Sequence, residues 1–191
     1  MSIWGKILGG AAGFALGGPL GAMLGAVAGH AVDRYRATQQ EQGDGDPTRS
    51  IAFTIGVIVL SAKMAKADGV VTRDEIDAFK QVLRVPANEA ANVSKVFNQA
   101  RQDSAGFEPY AQQLAGMFRD NPAVLEELLN CLAYIAHADG TIHPAEQKFM
   151  QDVAAIFGLD QAAFERATAT RFDADGADPY QIIGVPRDAG E

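Results

Sequence analysis

The chain opens with a long apolar stretch that carries a glycine at every fourth position. Residues 7–32 contain no Asp, Glu, Lys or Arg. Six glycines follow one another at this spacing: Gly9, Gly13, Gly17, Gly21, Gly25 and Gly29. A helix rises about 1.5 Å per residue, so this stretch is long enough to cross a hydrocarbon core of about 30 Å. Glycine disfavours helices in water but allows close helix contact in lipid, so the pattern predicts one membrane span that dimerises through its glycine face.

A cleaved signal peptide is the alternative interpretation of this stretch. Lys6 precedes it, and Ala-Val-Ala at 26–28 resembles a cleavage site. The length of the stretch, and the Arg34 and Arg36 that follow it, favour a retained anchor. Lys6 and the amino terminus weigh against the orientation that these arginines indicate, so charge alone leaves the topology open.

The rest of the chain has the pattern of a helical domain. Polar residues 37–49 are typical of a linker, and the uncharged run at 50–62 is too short for a second span and predicts a buried core helix. Apolar residues then recur every three or four positions, without the alternation of a strand. We therefore expect four regions, which are an anchor at 1–36, a linker at 37–49, an all-α domain at 50–170 and a further segment at 171–191.

One unit occurs twice within this domain. The sequence LSAKMAKADGVVTRDEIDAF at 60–79 matches CLAYIAHADGTIHPAEQKFM at 131–150, with an offset of 71 residues. Each copy reads as an apolar helix, an Asp-Gly turn, one branched apolar residue and a new helix. The pattern predicts two helical hairpins that pack about an approximate two-fold axis.

The two Asp-Gly corners carry four acidic residues at matching positions: Asp68, Glu75, Asp139 and Glu146. Thr72 with Glu75 forms a capping-box pattern, and Glu146 lies in the first turn of a helix that starts at Pro144. These signals predict helix capping. Carboxylates from two symmetric corners could also hold a divalent cation, which would be the only cofactor the sequence suggests. The two interpretations are compatible.

Composition narrows the classes of function. The net charge of −8, without clustered Lys or Arg, argues against nucleic-acid binding. Cys131 lies in an apolar run, which predicts a buried structural thiol in a reducing compartment. His30 lies at the end of the predicted span, where an interfacial role is expected. His137 and His143 flank one Asp-Gly corner, where packing and capping are expected and a metal site is the alternative, and no nucleotide-binding glycine loop is present. We expect no independent enzymatic activity.

Three pieces of the sequence resemble known families. The repeated Ala-Asp-Gly corners resemble the TerB family, named for tellurite resistance, over most of residues 50–170. The start IWGKILG, with PLGAMLGAVAGHAVD after it, is similar to the anchor of DjlA-type, DnaJ-like co-chaperones. The sequence at 178–189 looks like the opening of a J domain, through six residues: Asp178, Pro179, Tyr180, Ile183, Gly184 and Val185.

The resemblance implies a single-pass protein of the bacterial inner membrane, dimerised by its glycine-rich helix, with its helical domain in the cytoplasm. It implies an adaptor or sensor for a DnaK-type chaperone. The family's J domain acts through a His-Pro-Asp loop, which these 191 residues do not contain, so we expect a chaperone partner only where the J domain is completed. The alternative is a free-standing, membrane-bound TerB-like stress protein that binds a metal or a partner.

Overall fold

The computed structural model describes residues 16–28, 47–69, 71–103 and 105–169. Within these ranges every regular element is an α-helix, in agreement with the all-α prediction. The helices, in chain order, are α1 Gly18–Ala28, α2 Pro47–Asp68, α3 Arg73–Leu83, α4 Ala90–Gln102, α5 Glu108–Met117, α6 Pro122–Ala136, α7 Pro144–Phe157 and α8 Gln161–Ala169.

Helix α2 forms the centre of the domain. It packs against α4, α5, α6 and α7, and its side chains from Ser50 to Ala65 are all buried. Its segment Thr48–Ala67 is long and apolar enough to cross a membrane, but 83% of its most apolar window lies inside the protein. This burial agrees with the prediction of a core helix.

The repeat extends over three helices in each copy. Arg73 and Pro144, which begin α3 and α7, lie 71 residues apart, and so do Ala90 and Gln161, which begin α4 and α8. In both copies the third helix packs on the first, α4 on α2 and α8 on α6. The sequence predicted only the hairpins, because the third helices share little sequence similarity.

The corner glycines explain why the repeat keeps the Asp-Gly pair. Gly69 has φ +82° and Gly140 has φ +92°. Side chains are strained in this region, whereas glycine adopts it readily. Both chain reversals therefore depend on a glycine at the same point of the repeat.

The described part of the anchor differs from an unbroken span. Gly17 and Gly18 both have φ +55°, and α1 begins at Gly18 with Pro19 in its first turn. Proline disfavours a helical conformation in the residue before it, and glycine accepts the left-handed one. In the described residues the helix is therefore interrupted at Gly17, and α1 lies against α4 and α5 of the domain.

Candidate functional site

The first acidic corner is a complete capping box. The Thr72 hydroxyl accepts a hydrogen bond from the Glu75 backbone N–H at 3.1 Å, and Glu75 Oε2 accepts one from the Thr72 backbone N–H at 2.6 Å. Glu75 is 8% exposed. The side chain of Asp68 lies outside the part of the chain that the structure describes. At this corner the described carboxylate is engaged in holding the start of α3.

The second corner repeats part of this arrangement. Glu146 Oε2 accepts a hydrogen bond from the His143 backbone N–H at 2.9 Å. Asp139 Oδ1 accepts one from the Thr141 backbone N–H at 3.0 Å, and Asp139 Oδ2 lies 3.8 Å from His143 Nε2. Glu146 is 1% exposed. These contacts close the turn and start α7, while the exposed His137 ends α6.

The geometry of the described side chains at the two corners does not favour cation binding. Among the described His, Cys, Asp and Glu side chains, no group of three or more is placed to hold a metal ion. Oε2 of both Glu75 and Glu146 already accepts hydrogen bonds from cap backbones. A divalent cation at these corners stays a prediction that needs a binding experiment.

We expect Thr72→Ala and Glu146→Ala each to lower the free energy of unfolding by about 0.5–2 kcal/mol, the usual effect of losing a helix cap. Thermal unfolding without calcium, magnesium or zinc measures this effect. The matched control is Thr141→Ala, which removes an exposed hydroxyl from the other corner. Stoichiometric, tight cation binding that Asp139→Ala abolishes would contradict capping as the main role of these residues.

A cavity of about 280 Å³ lies beside the first corner, between α2, α3 and α4. Its walls are apolar, and Lys80 and Arg101 are among its lining residues. Ser61 also lines it, with its hydroxyl buried and without a hydrogen-bond partner in the described structure. Glu75 lines it too, so the cavity is an apolar pocket with a few charged side chains of both signs. Sequence reasoning missed it, although the exposed Ile76 in its wall was an available signal.

The two copies of the repeat differ in the connection between their second and third helices. Residues 84–89 connect α3 to α4, whereas the shorter segment 158–160 connects α7 to α8. Arg84 ends α3 with φ +44°, the one non-glycine residue of positive φ in the described ranges. The cavity lies beside this longer connection, and Val85 forms part of its wall.

Sequence reasoning also missed a buried cation. The Lys63 side chain is 3% exposed, and its Nζ donates to Asp103 Oδ2 at 3.0 Å and to the Ala105 carbonyl at 2.6 Å. The Tyr110 hydroxyl donates to the same Asp103 oxygen at 2.7 Å. The hydrogen bond from Tyr110, helped by Lys63, lowers the pKa of Asp103, while burial raises the pKa of Tyr110. We call Lys63, Asp103 and Tyr110 the loop clamp, because they hold the α4–α5 connection against α2.

Cys131 is fully buried, as predicted, and its environment is unfavourable for a thiolate. Burial raises the pKa of its thiol, and the nearby charge of Glu127 adds to the effect. Reactive cysteines need the opposite shift. Cys131 is therefore a structural side chain.

Glu127 makes the stability of the domain depend on pH. Burial, with the charge of Glu126, raises the pKa of Glu127 from 4.5 to about 7. The folded state then binds more protons than the unfolded state between these two values, so stability falls as pH rises through this window. We expect Glu127→Gln to flatten this fall, measured as melting temperature against pH. The exposed Glu165→Gln is the control, and an equal flattening by both variants would contradict the assignment.

Several predicted site residues lie outside the described ranges: Gly9, Gly13, Gly29, His30, Asp178, Pro179, Tyr180, Ile183, Gly184 and Val185. Of the described anchor glycines, Gly21 is buried, while Gly17 and Gly25 are exposed. Dimerisation through the glycine face stays a prediction.

Two family models match the chain. Residues 54–169 match tellurite resistance protein TerB, and residues 1–46 match the co-chaperone DjlA transmembrane domain. The TerB match alone covers more than half of the chain. No solved structure matches significantly.

Curated relatives resemble the chain over almost its whole length. The co-chaperone protein DjlA of Photobacterium profundum is 27% identical over 98% of this chain and 80% of the relative. That of Vibrio cholerae is 27% identical over 99% of this chain and 81% of the relative. That of Aliivibrio fischeri is 30% identical over 87% of this chain and 62% of the relative. The chain therefore belongs to the TerB family and carries an amino-terminal membrane anchor of the DjlA type.

Proposed function

We propose that this protein is a membrane-anchored co-chaperone component of the DjlA type. In this role its TerB domain is a cytoplasmic adaptor or sensor for a DnaK-type chaperone. One observation carries the proposal: this chain matches the DjlA transmembrane domain at 1–46 and TerB at 54–169, and its similarity to DjlA relatives extends over nearly the whole chain. The J-like segment at 178–185 adds sequence support.

The second part of the proposal is that the anchor forms a homodimer in the membrane. Glycines four residues apart lie on one face of a helix, where the missing side chains let backbones approach. A dimer would present two helical domains, and two J-like segments, at one place on the membrane. This arrangement raises the local concentration of weak binding sites, which suits an adaptor.

We expect Gly21→Leu with Gly25→Leu to abolish most of the association signal of the full chain in a membrane two-hybrid assay. The matched control is Ala22→Leu with Ala26→Leu, which adds similar bulk one position along the same helix. An unchanged signal in the glycine double variant would remove the glycine face from the proposal. Equal loss in both double variants would show a general effect of bulk.

The chaperone role is tested with a chimera. The J-like segment is continued from Val185 into the J domain of a DjlA-type co-chaperone, and both the chimera and the 191-residue chain are reconstituted in vesicles. We expect the chimera to raise the ATPase rate of a DnaK-type chaperone several-fold, and the 191-residue chain to leave it unchanged. A chimera with its His-Pro-Asp loop changed to Gln-Pro-Asp is the control. Stimulation by that control, or none by the chimera, would contradict the proposal and favour the free-standing TerB-like protein.

A further inference from the structure

The apolar face of helix α1 is buried against the helical domain. Leu20 is completely buried, and Met23 and Leu24 are 5% and 3% exposed. All three belong to the same core cluster as the residues of α2. The segment lies in a groove between α4 and α5. Side chains of the DjlA-type transmembrane segment are thus covered by protein.

One side chain of α5 holds the point where the anchor helix is interrupted. Gln113 Nε2 donates to the carbonyl oxygens of Leu16 and Gly17, both at 3.0 Å, and Gln113 Oε1 accepts a hydrogen bond from the Leu20 backbone N–H at 2.9 Å. Helix ends expose backbone groups that need partners from outside the helix. Gln113 supplies partners on both sides of the break.

The fit at this point depends on a glycine. A Cβ on Gly18 would lie 2.9 Å from Gln113 Oε1, closer than a carbon and an oxygen can approach without a shift. The φ of +55° at Gly18 disfavours a side chain as well. Gly25, further along α1, has open space where a Cβ would be. Close approach to Gln113 is therefore specific to Gly18.

The docked position excludes membrane insertion of the same residues. In a membrane span the apolar side chains face lipid or another span, whereas Leu20, Met23 and Leu24 are covered by the helical domain. Leu20 and Leu24 cannot contact lipid and the domain at once. Gly21, part of the predicted dimer face, is also buried in the docked position.

We infer that the groove between α4 and α5 is a binding site for the chain's own anchor, and that the anchor exchanges between this groove and the membrane. In the docked state the groove covers the apolar face of residues 16–24, and Gln113 recognises the break at Gly17 and Gly18. Docking keeps the apolar side chains of residues 16–24 away from water before insertion, and it competes with the proposed dimerisation because both use Gly21. This inference depends on the anchor assignment and not on the chaperone role.

Hydrogen–deuterium exchange on the full chain, made by cell-free synthesis without vesicles or detergent, tests the docked state. We expect slow exchange over residues 16–24 in the wild type and in Gln112→Leu, the exposed neighbour. Gln113→Leu should raise the exchange rate of that segment about tenfold or more, since three hydrogen bonds are lost. Gly18→Leu should act similarly, and Gly25→Leu should not. Circular dichroism establishes that each variant keeps its helical domain.

Vesicles of phosphatidylethanolamine and phosphatidylglycerol test whether the anchor leaves the groove for the membrane. When vesicles are added, we expect the anchor to remain protected from hydrogen–deuterium exchange. The exchange rate should rise in residues 111–118, which line the groove that the anchor has left. The inference is overturned if the wild type aggregates without vesicles, or if Gln113→Leu exchanges no faster than Gln112→Leu. Unchanged exchange at 111–118 on insertion would also overturn it.

Discussion

Asp103→Ala is expected to lower the free energy of unfolding by about 3 kcal/mol or more, because it leaves a buried ammonium without its counter-ion. Lys63 would retain only carbonyl acceptors, Tyr110 would lose its hydrogen-bond acceptor, and the α4–α5 connection would lose its ion pair with α2. Urea unfolding followed by circular dichroism measures the loss.

Asp120→Ala is the matched control for this variant. Asp120 also forms an ion pair, with Arg49, but its side chain is 66% exposed. Surface pairs contribute little to stability, because water and salt screen them. A loss at Asp103 no larger than that at Asp120 would contradict the loop clamp. The double variant Lys63→Met with Asp103→Leu should recover part of the loss, since it removes the unpaired charge.

The loop clamp is also expected to make the stability of the domain sensitive to acid. The pKa of Asp103 is lowered below its usual 3.8 in the folded state. Its contribution is therefore complete above the unfolded pKa and is lost as pH falls through the lower folded pKa. We expect the difference in stability between wild type and Asp103→Asn to shrink below about pH 4. This window is distinct from that of Glu127, whose effect lies between pH 4.5 and about 7.

Gly56→Leu is expected to be the second most damaging change, at about 3 kcal/mol. A Cβ on Gly56 would lie 2.9 Å from both methyl carbons of Leu114 and 3.3 Å from a methyl carbon of Leu128. Both leucines are completely buried, so they have little space to move into. Overpacking of such a contact costs about 1–3 kcal/mol, and the larger side chain places this variant at the upper end.

Gly116→Leu is the control for helix propensity. Gly116 lies in α5, and a Cβ there would meet nothing within 4 Å. Replacing a helical glycine with a good helix former stabilises by up to about 1 kcal/mol. The two variants should therefore shift the midpoint of thermal unfolding in opposite directions. Destabilisation by both would show that close packing at Gly56 is not the cause.

Much of the architecture was predictable because its signals are local. The helical period, the Asp-Gly corners and the Thr72–Glu75 capping box each lie within a few residues of sequence, and the structure shows the corresponding helices and turn. The repeat could be found because both corners need the same positive φ at Gly69 and Gly140. Burial of Cys131 followed from the apolar run around it.

The candidate sites were less predictable, because they depend on pairs that are distant in sequence. Lys63 and Asp103 are 40 residues apart, and nothing near either residue indicates that α2 and the α4–α5 connection meet. The cavity is lined by side chains of α2, α3 and α4, which only the fold brings together. The exposed Ile76 can be assigned to the cavity wall only once its neighbours on other helices are known.

The sequence by itself determined the helices, their caps, the doubled unit and the apolar anchor, since backbone propensity and periodicity act over short distances. Only the tertiary structure decided where the anchor residues lie, because Gln113 and Leu16 are separated by 97 residues. The glycine pattern is compatible with lipid and with a protein groove, since in both environments the missing side chains let another helix approach closely. Whether these residues lie in lipid or in the groove depends on the helices that pack against them, and no local sequence pattern identifies those helices.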